Sequence, residues 1–546
     1  MTRDPRRSTQ HGAPRRPRDI LATAGLVVVL AATSALVVGA IVNGANQPVL
    51  PIDAAQVPSG ASASLDPAAS GGPAASASID PSSTPAADEV AWVPVVGFWS
   101  TATTIAPAAL AATLQDTDDA YDVVIVPAGD REAIAAALDI EIAASVKSGT
   151  PGQVREAVRK GAFGLLRASD VAPDVRALGI GKAQLFGAAR LKTLAAWPLR
   201  GVVDDPGAWD QGRTWTLVAG GDILLDRGVA VQVTEEGKGV DFPYDGGTAE
   251  IVKEVCCSQF NQKTPVTKRT GEAGAVRALL TSADLALANL ESPVDDKWRF
   301  HLRGTVFSGD PRLLDGVKNA GIDFVSLANN HIRDSGADGV LDTVKALDAR
   351  GIAHSGAGDG FAEARRPAIF ETHGVTVAIF GCDAIAASYW TSGDAIGSRR
   401  CDTKTLVPDI KAARKTADVV VVYPHWGVEY RATPASSQRK LAAAWAKAGA
   451  ALVIGNHAHW AAGMEAIDGT LVWYALGNFV FDQTWSTRTM EGLLVEMTFE
   501  GPTLRQVRLR PHVILDQAQP NFLDPAGDGA AVLKQVRAAS KGLLPY

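Results

Sequence analysis

The sequence contains few aromatic residues and few cysteines, and these two scarcities limit the kinds of core and of metal site that it can form. Aromatic residues make up only 6% of the 546 residues, so Val, Leu, Ile and Ala are expected to dominate the core. Only four cysteines occur, and none has the Cys-x-x-Cys spacing of a zinc site. They could instead form disulfides. Cys382 with Cys401 is one plausible pair, but the sequence does not fix the connectivity.

Outside the N-terminus, acidic residues outnumber basic ones. The net charge of −7 argues against nucleic acid as a partner. Residues 1–19 nevertheless hold six Arg and two Asp, a net of +4, which leaves −11 for the remaining residues. A basic tip on an acidic body is typical of membrane topology rather than of polyanion binding.

No charged side chain interrupts residues 20–42, a run of 23 residues. A helix of that length can cross a hydrocarbon core of about 30 Å. The preceding arginines place the N-terminus in the cytoplasm and the body outside. A cleavable signal peptide is the alternative, although its apolar region is normally about 7–15 residues long. We therefore predict a cytoplasmic tip at 1–19, a transmembrane signal anchor at 20–42, and a single-pass membrane protein with an extracytoplasmic body.

The next two regions differ sharply in composition. Residues 43–90 consist mostly of Ala, Ser, Pro and Gly. Such a stretch has too little apolar surface to offset its ordering entropy, so it is expected to be a flexible linker. Residues 91–210 alternate β-type and helical patterns and predict a small α/β domain, faintly similar to part of a periplasmic binding protein. We find no chemical motif in this domain, and its role as spacer or ligand sensor stays open.

From Trp215 onward, apolar runs are each followed directly by residues that can bind a metal. Five runs lead into Asp222, Asn289 to Glu291, Asn329 to His331, His425 to Glu429, and Asn456 to His459, and a sixth leads into Gly477 to Phe479. Short apolar runs of this kind are typical of strands buried on both faces, and helical patterns separate them. Because ligands bind outside the carboxyl ends of strands in open α/β sheets, these clusters should converge.

The residues at those ends make a mixed oxygen and nitrogen ligand set. The candidate metal ligands are Asp222, Glu291, Asn330, His425, His457 and His459. This set suits Mn, Fe, Co or Zn better than Ca. Either carboxylate could bridge two cations, and ions about 3.5–4 Å apart activate a bound water and clamp the reacting group. We therefore predict one or two divalent transition metal ions. An extended His-x-His segment would place both rings on one side.

Three further residues are predicted to act beside the metals. His331 follows Asn330 and could serve as a general acid for the leaving group. Asp334, three residues later, could orient that imidazole. Arg227 could hold an anionic substrate, and it could equally be a surface cation.

Residues 214–500 carry several long motifs in order: "GGDILLDR", "ANLESPV", "SLANNHIRDSGADGVLDTVKAL", "HSGAGDGFAEARRP", "PHWGVEY", "GNHAHW" and "YALGNFVFDQ". These motifs resemble the CapA family of poly-gamma-glutamate capsule biosynthesis proteins, which is related to calcineurin-like metallophosphoesterases. The resemblance implies a four-layer α/β/β/α fold over residues 214–515, followed by a tail at 516–546. It also implies metal ligation by the six residues named above, with His331 catalytic.

Two positions depart from the metallophosphoesterase pattern. The usual Asp-x-His opening reads Asp222-Ile223-Leu224, and Glu291 stands where an Asp is usual. The predicted function is a metal-dependent, hydrolase-like role in assembling capsule or another cell-envelope polymer. The predicted partners are the membrane, an anionic surface polymer or its lipid-linked precursor, and the capsule synthesis machinery. A non-catalytic metal-containing scaffold is the alternative. The bond that is cleaved stays open, either a phosphoester on a lipid carrier or an amide of the polymer.

Overall fold

The computed structural model describes residues 89–546. The predicted cytoplasmic tip, the signal anchor and residues 43–88 of the predicted linker lie outside this range. The linker was predicted to end at residue 90, but Glu89 and Val90 already belong to the first strand. In the described part of the chain, no helix has the length and apolar character needed to cross a membrane.

The first region is a small α/β unit. Its strands are β1 (Glu89–Gly97), β2 (Thr104–Ile105), β3 (Val124–Pro127), β4 (Lys147–Gly149), β5 (Phe163–Arg167), β6 (Val175–Ala177), β7 (Gly179–Ile180) and β8 (Arg200–Val202). Its helices are α1 (Pro107–Leu114), α2 (Arg131–Leu138) and α3 (Pro151–Arg159). The main sheet has the order β4-β3-β5-β1-β6, with β8 also pairing with β1. Strands alternate with helices from β2 to β5, whereas β6, β7 and β8 follow without an intervening α-helix.

The second region contains the remaining elements. Its strands are β9 (Thr214–Ile223), β10 (Thr248–Val255), β11 (Thr264–Arg269), β12 (Leu285–Leu290), β13 (Phe324–Ser326), β14 (Ala353–Ser355), β15 (Ala357–Gly358), β16 (Ala368–Thr372), β17 (Val375–Asp383), β18 (Gly397–Ser398), β19 (Val419–His425), β20 (Leu452–Ile454), β21 (Met464–Ile467), β22 (Thr470–Trp473), β23 (Asn478–Val480), β24 (Glu491–Glu500), β25 (Thr503–Leu515) and β26 (Gln519–Leu523). Its helices are α4 (Arg227–Ala230), α5 (Ala275–Ser282), α6 (Leu314–Asn319), α7 (Gly336–Asp348), α8 (Phe361–Ala364), α9 (Leu406–Ala413), α10 (Ser436–Ala448), α11 (Thr487–Met490) and α12 (Gly529–Ala539).

Two sheets organise this second region. The first has the order β11-β10-β26-β25-β24-β9-β12-β13-β14, with β23 also pairing with β9, and the second has the order β16-β17-β19-β20-β22-β21. Strands β9, β12, β13 and β14 run parallel to one another, as do β17, β19, β20 and β22. The carboxyl ends of each parallel set therefore lie at one edge of its sheet.

Alternating side chains explain how the two sheets pack. Leu217 on β9 and Val421 on β19 belong to one buried cluster between the sheets. Their chain neighbours point the other way: Val218 packs with α5, α6 and α7, and Val420 packs with α9 and α10. Because successive residues of a strand face opposite sides, each central strand contributes to two apolar layers. The predicted mixed α/β fold is confirmed.

The predicted C-terminal tail is part of the domain. Strand β26 pairs with both β25 and β10, which places residues 519–523 inside the larger sheet. On α12, Val532, Leu533 and Val536 join the cluster between the sheets. Their spacing matches one face of a helix, and this apolar face is what holds the C-terminus against the body.

The small unit packs directly on the larger sheet. The Ala177 amide of β6 donates to Gln506 Oε1 on β25 at 2.8 Å, and the Gly187 amide donates to Thr498 Oγ1 on β24 at 2.8 Å. The buried Arg190 guanidinium lies 2.9 Å from Asp284. The first two contacts join the small unit to β25 and β24, and the third joins it to Asp284, directly before β12.

The structure resolves a pairing that the sequence left open. Cys382, at the end of β17, forms a disulfide with Cys401. Cys256 and Cys257, which are adjacent in the chain, form the other disulfide. The Cys382–Cys401 bond closes residues 383–400 into a loop that begins at the same sheet edge as His425.

Candidate metal centre

The predicted ligand residues meet at the carboxyl ends of strands from both sheets. Asp222 lies at the end of β9, and in the neighbouring strand β12 its register partner is Asn289, two residues before Glu291. His425 ends β19, and its isolated bridge to Asn456 brings the segment after β20 alongside. The β9 backbone approaches Gly477 so closely that a side chain at Gly221 would collide with the Gly477 carbonyl. Glycine at position 221 therefore allows Asp222 to reach the centre.

Five of the six predicted ligands form two overlapping groups. Glu291, His425 and His457 make one group, and Asp222, Glu291 and His459 make the other. Within each group the candidate ligand atoms all lie within 4.8 Å of one another. Asn330 is also close, since its Oδ1 lies 2.8 Å from His425 Nε2. Glu291 is common to both groups, so its carboxylate could contribute to holding either of two cations.

The buried Glu291 carboxylate is the observation that best fits a metal. Its side chain is fully buried, and no N–H or hydroxyl group of the described chain donates to Oε1 or Oε2; its carboxyl neighbour is another acid, Asp222. Leaving a buried charged group uncompensated is costly, so such groups are normally paired or bound to a metal. Histidine nitrogens surround it instead: His425 Nε2 lies 3.4 Å and His459 Nε2 lies 3.8 Å from Oε1.

The electrostatics of the histidines also suit metal binding. Burial lowers the pKa of His457 to about 3 and that of His459 to about 4. Burial, with the neighbouring histidines, holds the pKa of His425 well below its usual value. All three rings are therefore neutral at neutral pH, and a neutral imidazole has one basic nitrogen that can bind a cation.

The two carboxylates shift in the opposite direction for the same reason. Burial raises the pKa of Asp222 to about 7. Burial, and then the charges of Asp222 and Glu429, raise the pKa of Glu291 well above its usual value. Two acids held together in a dry site resist ionisation, and cations between them would offset that repulsion.

The His-x-His segment reaches the site in a different way from the one predicted. An extended segment was expected to place both rings on one side, but His457 and His459 have φ angles of 89° and 55°. Both are therefore left-handed, a conformation that costs about 1–3 kcal/mol for residues other than glycine and is concentrated at functional sites. The turn after β20 brings the His457 ring to Glu291, and the His459 ring to both Glu291 and Asp222.

His331 and Asp334 form the predicted pair beside the ligands. His331 Nδ1 lies 2.7 Å from Asp334 Oδ2, and the Phe307 amide donates to the same oxygen at 2.7 Å. Tyr389, on the loop closed by the Cys382–Cys401 disulfide, donates its hydroxyl to Asp334 Oδ1 at 2.9 Å. Asp334 is thus held from three directions, and the His331 side chain keeps 15% of its surface exposed.

Arg227 lies at the edge of the centre, and its positive charge is paired with a carboxylate. Its guanidinium forms a salt bridge with Asp482 and donates to the Gly304 carbonyl at 2.7 Å. It also lies 4.7 Å from the centre of the Phe307 ring, which is in contact with the His331 ring. Its side chain is only 14% exposed, so the alternative of a free surface cation does not describe it. Anion binding by Arg227 stays a prediction.

Sequence reasoning missed two asparagines that orient the ligands. Asn289 Nδ2 donates to Asp222 Oδ1 at 2.8 Å and lies 3.2 Å from His425 Nδ1. Asn478 Oδ1 lies 2.8 Å from His459 Nδ1. Both follow apolar runs that the sequence singled out. That position was the only signal in the sequence, because their place beside Asp222 depends on the register of neighbouring strands.

Replacing Asn289 with Ala is expected to weaken metal binding by about 10–100-fold, the usual effect of losing a residue that orients a ligand. The change leaves Asp222 Oδ1 without its donor and frees the His425 ring to turn. Titration with Mn²⁺ or Zn²⁺ measures the effect. Asn319→Ala, an exposed asparagine bonded to Asp241, is the matched control. Equal affinity of the two variants would refute the orienting role.

Fold and site together define an α/β protein with a candidate two-cation centre. The sequence model of the bacterial capsule synthesis protein family PGA_cap matches residues 216–483. The capsule biosynthesis protein CapA of Bacillus anthracis is 32% identical over 279 residues, covering 49% of this chain and 67% of that protein. The PGA biosynthesis protein CapA of Bacillus subtilis strain 168 is 31% identical over 261 residues, covering 46% and 67%. The chain therefore belongs to this capsule synthesis family.

The solved structures that resemble this chain share less of its sequence than the two CapA relatives do. The 5'-nucleotidase precursor of Thermus thermophilus is 15% identical, and the match covers 60% of this chain and 59% of that one, with a TM-score of 0.31. A score at this level carries no argument about function. The family resemblance seen in the motifs is confirmed by the family match and the two CapA relatives.

Proposed function

We propose that this chain is a membrane-anchored, extracytoplasmic, metal-dependent hydrolase-like protein that assembles a capsule or another cell-envelope polymer. In this proposal residues 214–546 form a four-layer, metallophosphoesterase-like domain. The observation that carries it is Glu291, whose buried carboxylate accepts no hydrogen bond from an N–H or hydroxyl group of the described chain and belongs to both candidate ligand groups. Cations held there would compensate the two buried acids, Glu291 and Asp222, that lie side by side.

The residues of the centre have three proposed roles: metal ligands, a proton donor with its orienting partner, and a cation that faces the substrate. Glu291, Asn330, His425 and His457 would hold one cation, and Asp222, Glu291 and His459 would hold the other. Divalent cations in such a centre supply Lewis-acid polarisation of the reacting group and activation of water. His331 gives its proton to the leaving group, and Asp334 keeps the ring in the orientation for that transfer. Arg227 lies where it can face a negative group on the substrate.

The proposed substrate is an anionic surface polymer or its lipid-linked precursor. The relative from Bacillus subtilis is named for PGA biosynthesis and the one from Bacillus anthracis for capsule biosynthesis. A capsule polymer leaves the cell, so an extracytoplasmic body behind a membrane anchor would meet it there, next to the synthesis machinery. Both a phosphoester and an amide develop negative charge on oxygen during hydrolysis, and the proposed cations would stabilise either.

A specific observation favours the second candidate, a non-catalytic scaffold that holds the polymer or a partner enzyme. Leu224 occupies the position where the metallophosphoesterase pattern has a histidine. It is fully buried in an apolar cluster with Phe307, Phe481 and Ile514. The second group therefore has three candidate ligands, and a cation held there is expected to bind more weakly than the first.

Purified full-length chain in detergent is expected to contain at least one transition metal ion per molecule, measured by elemental analysis. It should hydrolyse at least one member of a panel of phosphoesters and gamma-glutamyl peptides, and a chelator should abolish this turnover reversibly. Metal without turnover on any member would favour the scaffold. A chain that binds no Mn²⁺, Fe²⁺, Co²⁺ or Zn²⁺ would refute both candidates.

A further inference from the structure

Exposed apolar side chains are concentrated on two segments of the described chain. Ten large apolar side chains are exposed in residues 89–546. Four of them, Val252, Val255, Phe260 and Val266, lie on residues 248–269, which we call the hairpin segment. Such a concentration on one part of a surface marks an interaction site rather than ordinary scatter.

The second segment, residues 296–306, is called the loop segment. It exposes Phe300, Leu302 and Val306, and Leu302 and Val306 are each 62% exposed. Val428, just after the ligand His425, is 56% exposed. Only two of the ten exposed residues, Val202 and Ile369, lie elsewhere in the described chain.

The hairpin segment reaches the metal centre through a row of aromatic rings. Phe260 lies 5.1 Å from Trp485, Trp485 lies 4.9 Å from Tyr430, and Tyr430 lies 6.0 Å from the ligand His459, measured between ring centres. The amide of Thr487 donates to the Lys263 carbonyl at 2.9 Å, which fixes the hairpin beside this row. The tip of the hairpin therefore borders the centre.

The loop segment borders the same centre at another point. The Gly304 carbonyl accepts a hydrogen bond from Arg227 at 2.7 Å. Phe307, directly after the loop segment, contacts His331, with 4.1 Å between the centres of the two tilted rings. Each of the two segments thus connects to residues of the candidate centre, and we call the two together the apolar rim.

The rim is basic although the chain as a whole is acidic. The hairpin segment carries a net charge of +2 and the loop segment a net charge of +2, against −7 for the whole chain. In the hairpin, Lys263 and Lys268 make only long contacts, of 3.5 and 3.4 Å, with glutamates. Within residues 89–546, Arg299 and Arg303 of the loop segment form no salt bridge. These cations are available to an anionic partner.

We infer that the rim docks on an anionic lipid surface, so that the metal centre faces the membrane. Apolar side chains interleaved with Lys and Arg are the chemistry that binds the headgroup region of a bilayer. The inference rests on the proposed function in one respect, because the membrane anchor keeps the body close to lipid. It adds the orientation of the body: a substrate carried by a lipid is presented directly to His331 and the ligands.

The test uses the full chain in lipid nanodiscs, one set of phosphatidylcholine alone and one containing phosphatidylglycerol. Hydrogen exchange is measured on peptides that cover residues 256–263 and 298–306. Both regions are expected to exchange about tenfold more slowly in the anionic discs, because docking suppresses their local opening. The double variant Leu302→Ser, Val306→Ser should lose most of this protection. The matched control Val202→Ser, Ile369→Ser replaces equally exposed residues outside the rim and should keep it.

Exchange that is the same in both kinds of disc, or protection that the rim variant keeps, overturns the inference. Protection that appears only when another envelope protein is added, and without regard to lipid, also overturns it and assigns the rim to a protein partner. Metal content and turnover are measured on the same discs. Lipid-dependent protection in a chain without metal or turnover would support the docking and refute the proposed function, so the two failures are distinguishable.

Discussion

Replacing Glu291 with Gln is expected to remove both metal ions together. Glu291 belongs to both ligand groups, so one substitution weakens two cation sites. The amide offers a single neutral oxygen where the carboxylate offers two charged ones. Loss of a residue that merely orients a ligand costs about 10–100-fold in affinity, and loss of this shared ligand should cost at least that at each site.

The fold should survive this change. In the metal-free protein, Glu291 is a buried acid to which no N–H or hydroxyl group of the described chain donates, and its neutral amide analogue is easier to bury. The free energy of unfolding of the metal-free variant is therefore expected to equal or exceed that of the metal-free wild type. Metal content is measured by elemental analysis, and stability by urea unfolding with chelator present.

Glu491→Gln is the matched control, because Glu491 is also buried and burial raises its pKa to about 7. It belongs to neither ligand group. This control should keep its metal. If Glu291→Gln kept both ions at wild-type affinity, Glu291 would not be a ligand and the shared-carboxylate arrangement would be wrong. If it lost only one ion, Glu291 would serve a single site.

The sequence predicted the general plan of the centre because a simple rule governs it. Buried parallel strands read as short apolar runs, and ligands gather beyond their carboxyl ends. The sequence pattern alone therefore predicts that Asp222, Glu291 and His425 lie close together. The structure brings them together, and the mixed α/β fold is confirmed. Metal binding by these residues stays a proposal.

Other features depend on contacts that no local pattern records. The left-handed turn at His457 and His459 is stabilised by tertiary contacts, including the bond from the His457 amide to Asp222 at 3.3 Å. The role of Asn289 follows from the register of β12 against β9, and a one-residue change of register would turn it away. The sequence pattern predicts only a tail for residues 516–546, because the partner of the apolar face of α12 is a cluster between two sheets that lie far away in the sequence.

Replacing His331 with Ala is expected to separate binding from chemistry. His331 belongs to neither candidate ligand group, so the variant should keep its metal. Turnover should nevertheless fall by about 10²–10⁴-fold, the usual contribution of general acid–base catalysis. The matched control is His354→Ala, which removes an imidazole that pairs with Asp348 away from the centre.

The leaving group decides how large the loss is. An activated aryl ester expels a stable anion and needs little protonation in the transition state, whereas an alkyl ester of the same acid needs a full proton. The variant should therefore lose much more activity on the alkyl ester. Asp334→Asn should show the same pattern in weaker form, because it leaves the imidazole in place but removes the carboxylate that lies 2.7 Å from His331 Nδ1.

Each outcome has a distinct meaning for the site. Loss of metal in His331→Ala would make His331 a ligand and add an imidazole to a centre that lacks one at Leu224. Full activity on both esters with metal retained would refute the general-acid role. An equal loss on both esters would show that His331 positions the substrate or water rather than protonating the leaving group. Only the unequal loss, greater on the alkyl ester, supports proton transfer from the ring that Asp334 holds in place.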